Sequence, residues 1–328
     1  MRILIATPAY EDSFADNVGL TLQIMGHDVA YAIRAKHDSY YSFPRQVIRA
    51  LKERLLGDRP TGEERRILKL ARSFKPDVVL ALTRGLHPEL LHELGKICPG
   101  RRVLWWGDSP ANSQRWGMLD SGWDVVFCKD AVAVAKLKLI GRNAHLLHEA
   151  MNPLWHKPIA VQSNDSIAVA GNSYAFRQAI CLRLMQHGAT VALYGSKPPV
   201  WADPAYRKAH TGRYVVRQEK SRVFGEALAC LNTFQLAEGN SLNCRAFEIA
   251  GAAGLQLIEY RPAIEQCFEP GKELLAFSGF EELLDHIERA KRFPREMQAI
   301  RDAAAKRAVA EHTYRHRLER IFKMVGDL

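Results

Sequence analysis

The chain has 328 residues, of which 47% are apolar and 25% charged. Those are globular proportions, which exclude disorder throughout, and the length anticipates two domains. Forty-six Lys and Arg against thirty-six Asp and Glu leave a formal net charge of +10, which suits a phosphate-bearing, nucleic-acid or anionic-membrane partner without choosing among them.

The opening MRILIATPAY holds too short an apolar run for a signal peptide. No segment approaches the ~18 apolar residues of a membrane span. The expectation is a soluble, cytoplasmic protein, with peripheral membrane contact left open. Six scattered cysteines form no C-x-x-C pair, which argues against a zinc ribbon and favours a reducing compartment.

In chain order, short Val- and Ile-rich runs predict strands at Arg2–Ala6, His27–Ile33, Asp77–Thr83, Arg102–Trp106, Asp124–Cys128 and Ala144–Leu147. Between them Leu51, Leu55, Leu56 and then Ile67, Leu68, Ala71 fall at helical spacing. Residues 151–165, with two prolines and no period, read as a linker. The alternation then restarts. Strands are predicted at Ser166–Ala170, Thr190–Tyr194, Ala229–Thr233, Leu255–Glu259 and Glu273–Phe277. Helices are predicted at Phe176–His187, Gln218–Ala227, Cys244–Ala253, Phe280–Ala290 and Glu296–Glu311. A last helix, Tyr314–Val325, carries Leu318, Ile321, Phe322 and Val325 on one face and must bury it, the first domain being one place for it. Strand–helix alternation means right-handed crossovers and parallel sheets. The predicted fold is α/β, with two Rossmann-like doubly wound domains: residues 1–150, then 166–312 after the linker, and 313–328 as a terminal helix.

The chain lacks G-x-G-x-x-G, a P-loop, H-E-x-x-H and a G-x-S-x-G elbow. Its Lys and Arg are dispersed rather than striped, so no nucleic-acid module is expected. Gly171, Asn172 and Ser173 follow a predicted strand and lead into a helix carrying Arg177, a setting that suits an anion and equally a plain capped turn. A polar loop from Glu238 to Asn243 opens the next site helix, with Arg245 in its first turn and Glu248 one turn on. A cation there opposes the helix dipole unless an anion lies nearby; the plainer reading is a capped helix with an Arg–Glu pair. Asp108, after Trp105-Trp106-Gly107, stands where α/β folds bind ligands, or caps a turn. Asp12 and Ser13 form a similar pair, with capping the plainer role; His87 is a base or a loop residue. Tyr194 and Gly195 close a strand and permit close approach to a planar ring, or make a turn. Lys220 is a phosphate ligand or a solvated lysine.

Asn243–Arg245 with Phe247-Glu248, Gly254, Phe268-Glu269-Pro270-Gly271-Lys272-Glu273, Phe280–Leu283 and His312-Thr313-Tyr314 with Arg317 stand in an order that resembles the CgeB-like (spore maturation protein) group of GT-B glycosyltransferases. The likeness covers roughly residues 150–325. It implies two facing Rossmann-like domains, donor nucleotide in the second and acceptor in the first. By that resemblance Glu248 holds the donor ribose and Arg177, Lys220 and Arg245 face the diphosphate. Tyr194 and Gly195 border the base, and Glu238 lies near the donor sugar. Glu238 and Glu248 have nine residues between them, wider than the glutamate pair of many retaining members, so the stereochemical outcome stays open. A diphosphate leaving group needs cations and helix amides when no metal serves it. With no D-x-D motif, metal-independent transfer from a UDP-sugar co-substrate is expected, with no other cofactor. If transfer inverts, Asp108 is the first expected base and Asp12 the second. The acceptor stays open among protein, glycan and small molecule. The rival readings are a non-catalytic binding protein for a phosphorylated ligand and a sugar-nucleotide epimerase.

Overall fold

The computed structural model describes residues 1–35, 47, 51, 60–98, 100–113 and 117–326. Of the first helical pattern, Leu51 is helical, whereas Leu55 and Leu56 lie outside the described residues. The chain forms two compact units: Met1–His148 with Arg317–Leu328, and Glu149–His316.

The first unit is built on β1 (Arg2–Ile5), β2 (Asp28–Tyr31), β3 (Val78–Leu82), β4 (Arg101–Trp106), β5 (Val125–Cys128) and β6 (Ala144–Leu146). All pair in parallel, in the order β2-β1-β3-β4-β5-β6. Every residue of β3 and β5 is buried, as expected of central parallel strands covered on both faces. The covering helices are α1 (Phe14–Ile24), α2 (Gly62–Phe74), α3 (Pro88–Ile97) and α4 (Ala131–Leu139). Thr61 and Glu64 close a capping box at the start of α2, and the same Glu64 carboxylate accepts the His87 backbone N–H at 2.8 Å. His87 then caps α3 through Nδ1, which accepts from the Glu89 N–H at 3.2 Å. That gives the histidine a structural occupation.

The second unit holds β7 (Ile167–Ala170), β8 (Val191–Tyr194), β9 (Ala229–Asn232), β10 (Gln256–Glu259) and β11 (Leu275–Phe277), parallel in the order β11-β10-β9-β7-β8. The helices are α5 (Ala175–Gln186), α6 (Pro204–Lys208), α7 (Gln218–Glu226), α8 (Cys244–Gly251), α9 (Phe280–Arg292) and α10 (Pro294–Glu311), followed by α11 (Tyr314–Gly326). In α11 Leu318 and Ile321 are buried, the Phe322 ring meets His27 edge-on and Arg317 donates to the His148 carbonyl, all within the first unit.

Strand order reverses between β7 and β9, so the loops that leave their carboxyl ends diverge and open a crevice there. Those two loops are the Gly171 turn and the run from Thr233 to Asn243.

Residues 149–165 belong to the second unit. Met151, Asn152 and His156 are buried. Met151 bridges Thr313, and the Trp155 carbonyl accepts from Ser221 Oγ at 2.7 Å. Within the stretch that reads as a linker, residues 152–157 form a turn closed by their own side chains. Asn152 Oδ1 accepts from the Leu154 N–H, and His156 Nδ1 from the Asn152 N–H.

Candidate active site

Glu248 lies on α8 with its carboxylate buried. Lys220 Nζ, from α7, donates to Oε1 at 2.9 Å; Arg245 Nη1 is 3.3 Å from Oε2 and His156 Nε2 is 3.7 Å from Oε1. Burial pushes this carboxyl's pKa up, but Lys220, Arg245 and His156 outweigh it and hold Glu248 down at about 2. His156 Nδ1 already accepts a backbone N–H at 3.1 Å. The neutral ring therefore carries its proton on Nε2, the nitrogen nearer Glu248.

α8 begins where it does because Asn243 caps it, Oδ1 accepting from the Ala246 N–H at 3.1 Å. Asn243 is oriented in turn by Asn232 at the end of β9, which also donates to Gln256. This amide ladder joins the helix start to the sheet. Small residues let the helix sit close: a Cβ on Gly251 would stand 3.0 Å from the His156 carbonyl. Cys244 opens the helix, but burial pushes its thiol well above the ordinary range, so it is no thiolate nucleophile.

Arg177 is buried on α5 and heavily engaged. Its Nε donates to Thr233 Oγ1 at 3.1 Å, Nη2 to the Thr233 carbonyl at 2.8 Å and Nη1 to the Asn172 carbonyl at 2.7 Å. It thus ties the two walls of the crevice together. Gly171, at φ +129, is bordered by both arginines: a Cβ there would lie 3.1 Å from Arg245 Nη2 and 3.2 Å from Arg177 Nη1. Gly195, at φ +115, packs on Gly171, its would-be Cβ 3.0 Å from the Gly171 carbonyl. Two glycines side by side leave the strand ends open to a ligand. The cap of α5 is Tyr174, with no side-chain hydrogen bond, rather than Asn172 or Ser173. Asn172 is exposed, and Ser173 Oγ accepts from Tyr206 at 3.3 Å. The phenol of Tyr194 has its pKa raised by burial, with Arg213 5.5 Å from the ring centroid.

The structure therefore brings together Gly171, Gly195, Arg177, Lys220, Asn243, Arg245 and Glu248. Lys220 and Arg245 pair with the one carboxylate among them and Arg177 adds a third cation, so these residues together carry excess positive charge. Glu238 is half-buried in the loop before α8, Oε1 accepting from Ser241 Oγ at 3.2 Å. In the first unit Asp108 accepts from the Ser109 N–H at 2.8 Å and from Asn112 Nδ2 at 2.9 Å, the geometry of a turn cap. Asp12 sits at φ 59 and accepts from Asn17 Nδ2, while Ser13 takes the cap of α1.

Sequence reasoning passed over three residues. Arg261 donates Nη1 to the carbonyls of Gly239 at 2.6 Å and Ser241 at 3.1 Å, lies 3.3 Å over the Phe234 ring and braces the Glu238 loop. Arg217, at φ 49, opens α7 above the Trp155 ring at 4.7 Å. His156 is the third. Only a polar residue after a strand hinted at Arg261; nothing local pointed to the others.

Residues 176–323 match the family model described as glycosyl transferase-like. The chain has the GT-B fold, and this stretch of it is glycosyl transferase-like. Over 99% of each chain it resembles sucrose-phosphate synthase from Thermosynechococcus elongatus, at 11% identity and a TM-score of 0.69. Over 100% of each chain it resembles HepE from Anabaena in complex with UDP-glucose, at 10% identity and a TM-score of 0.68. AviGT4, a glycosyltransferase involved in avilamycin A biosynthesis, matches over 100% of this chain and 97% of its own, at 13% identity and a TM-score of 0.64. At such identities these likenesses bear on the fold. No curated protein matches the sequence. No helix among the described residues is long and apolar enough to cross a membrane.

Proposed function

We propose that this chain is a glycosyltransferase, that it moves a sugar from a uridine diphosphate donor to an acceptor hydroxyl or amine without a metal, and that it belongs with the CgeB-like group. The observation that carries the reading is the Lys220–Glu248–Arg245 cluster at the start of α8, beside two glycines at a sheet's switch point. The bond from the anomeric carbon to the terminal phosphate oxygen breaks, its electron pair leaving with the diphosphate. Arg245, Lys220 and the first amides of α8 stabilise that charge in place of a metal. Glu248, an ionised acceptor, takes the ribose hydroxyls. Arg177 holds the crevice walls and adds its charge at short range. Tyr194 and Gly195 border the base, with Asn172 and Ser173 on the Gly171 turn, and Glu238 lies toward the sugar. HepE, of the same fold, has been solved with UDP-glucose, which supports a uridine donor here.

On the acceptor side Asp12 takes precedence over Asp108. A non-glycine residue held at positive φ marks strain of the kind functional sites retain. Asp108 is spent on its turn. The test is a thermal-shift screen against uridine, guanosine, thymidine and cytidine diphosphates. UDP should raise Tm, and Arg245→Ala or Lys220→Ala should remove the shift while the unliganded protein stays folded. No shift with any of the four would reject the reading.

A further inference from the structure

Helix α4 has an apolar face that the fold leaves outside. Its sequence, AVAVAKLKL, turns Val134 and Leu137 inward to the core. The opposite stripe, Val132, Ala135 and Leu139, follows helical spacing and faces solvent, with Val132 59% and Leu139 86% exposed. Ile140 extends it beyond the helix end. Leu119 joins it from a neighbouring turn, its carbonyl accepting from Arg142 Nε at 2.8 Å. Isolated exposed leucines need no explanation, but an apolar stripe continued by two further aliphatic side chains does.

Along the helix and the turn after it the charge has one sign; Asp120, beside Leu119, accepts from the Gly122 N–H. Lys136, Lys138 and Arg142 flank the stripe, and no Asp or Glu occurs from Ala131 to His148. Asp130, just before, is buried and engaged in capping the helix. His145 on β6 is lowered in pKa by burial and then by the charges of Lys138 and Arg320, which places Arg320 of α11 in the same field. Between Tyr314 and Gly326, α11 adds Arg315, Arg317, Arg320 and Lys323 against Glu319 alone.

We propose that the outer face of α4, with Leu119 and Ile140, docks on an anionic lipid surface. Leu139, Ile140 and Val132 enter the headgroup boundary while Lys136, Lys138 and Arg142 meet the acidic headgroups, apolar burial and cationic attraction acting together. A protein partner or a second copy would also cover aliphatic side chains. The run of cations from Lys136 to Arg142, with no acid among them, is what selects a densely anionic plane.

The inference is independent of the donor site, and its test separates the two. The full-length protein is sedimented with phosphatidylcholine vesicles containing phosphatidylglycerol and with pure phosphatidylcholine vesicles. Binding should require the anionic lipid and weaken with salt. Leu139→Ser should reduce it about ten-fold, in line with roughly 1.5–3 kcal/mol for a leucine withdrawn from water. Lys136→Gln and Lys138→Gln should each reduce it about five-fold, in line with ~1 kcal/mol per cation. All three variants should keep the wild-type Tm and UDP shift, because the positions are exposed. The proposal fails if the wild type ignores anionic vesicles, if the three variants bind as it does, or if Leu139→Ser instead abolishes self-association without lipid, which would assign the face to a second copy.

Discussion

Glu248 has a depressed pKa only because its charged partners survive burial with it, and that ties acid stability to one side chain. Its folded value of about 2 lies below the ordinary 4.5. The resulting stability is therefore complete above 4.5 and is lost as pH falls from there toward about 2. Its size is on the order of 3 kcal/mol. Glu248→Gln should lower Tm at neutral pH, since Lys220 and Arg245 lose a buried partner, and its unfolding curve should be flatter than the wild type's across the acid range. A parallel pair of curves would mean that the carboxylate is not held as described. Arg177 and Arg245 should behave differently. Arg177→Ala removes three hydrogen bonds to the crevice walls and should cost a few kcal/mol in chemical denaturation, because it strands the buried Thr233 hydroxyl and carbonyl. Arg245→Ala should cost less, since Lys220 still pairs with Glu248, and should act chiefly on UDP affinity. The residue types were readable beforehand because charge at a helix start after a strand is a local pattern. His156 was not: its role comes from a tertiary contact across residues that, by composition, suit a loop.

At the scale of elements, the Gly171 and Gly195 turns and the loop braced by Arg261 shape the crevice. Gly195→Ala places a methyl 3.0 Å from the Gly171 carbonyl and forces a non-glycine residue to φ +115. A loss of about 1–3 kcal/mol in unfolding free energy is expected, together with weaker UDP binding; unchanged affinity would remove the strand ends from the site. Arg261→Ala frees the Gly239 and Ser241 carbonyls. It should raise the KM for the sugar donor more than it weakens UDP binding, because the loop it braces carries Glu238 rather than the diphosphate cations. Equal losses for donor and UDP would show that the loop acts on the nucleotide instead. Among the described residues the central strands were legible because each is a short aliphatic run buried on both faces, as in β3 and β5. Strand ends were not: His27–Ile33 shrinks to Asp28–Tyr31, since edge pairing with β1 stops there. The five-residue α6, Pro204–Lys208, was also missed. It is too short to show a period, and only the Asp203 cap and following proline announce it.

For the whole molecule, two parallel sheets with switch points at β1/β3 and β7/β9 follow from strand–helix alternation and right-handed crossovers. That much of the GT-B fold was contained in the pattern of the chain. The return of Arg317–Leu328 to the first unit could be anticipated only as an apolar stripe in need of cover. The central claim is that the second unit cradles a nucleoside diphosphate at the start of α8. A crystal structure of the full-length protein with UDP bound tests it most directly. The diphosphate should lie within hydrogen-bonding distance of Arg245, Lys220 and the first amides of α8, with the ribose on Glu248. UDP seated on any other surface, with the Lys220–Glu248–Arg245 cluster untouched, would contradict the account.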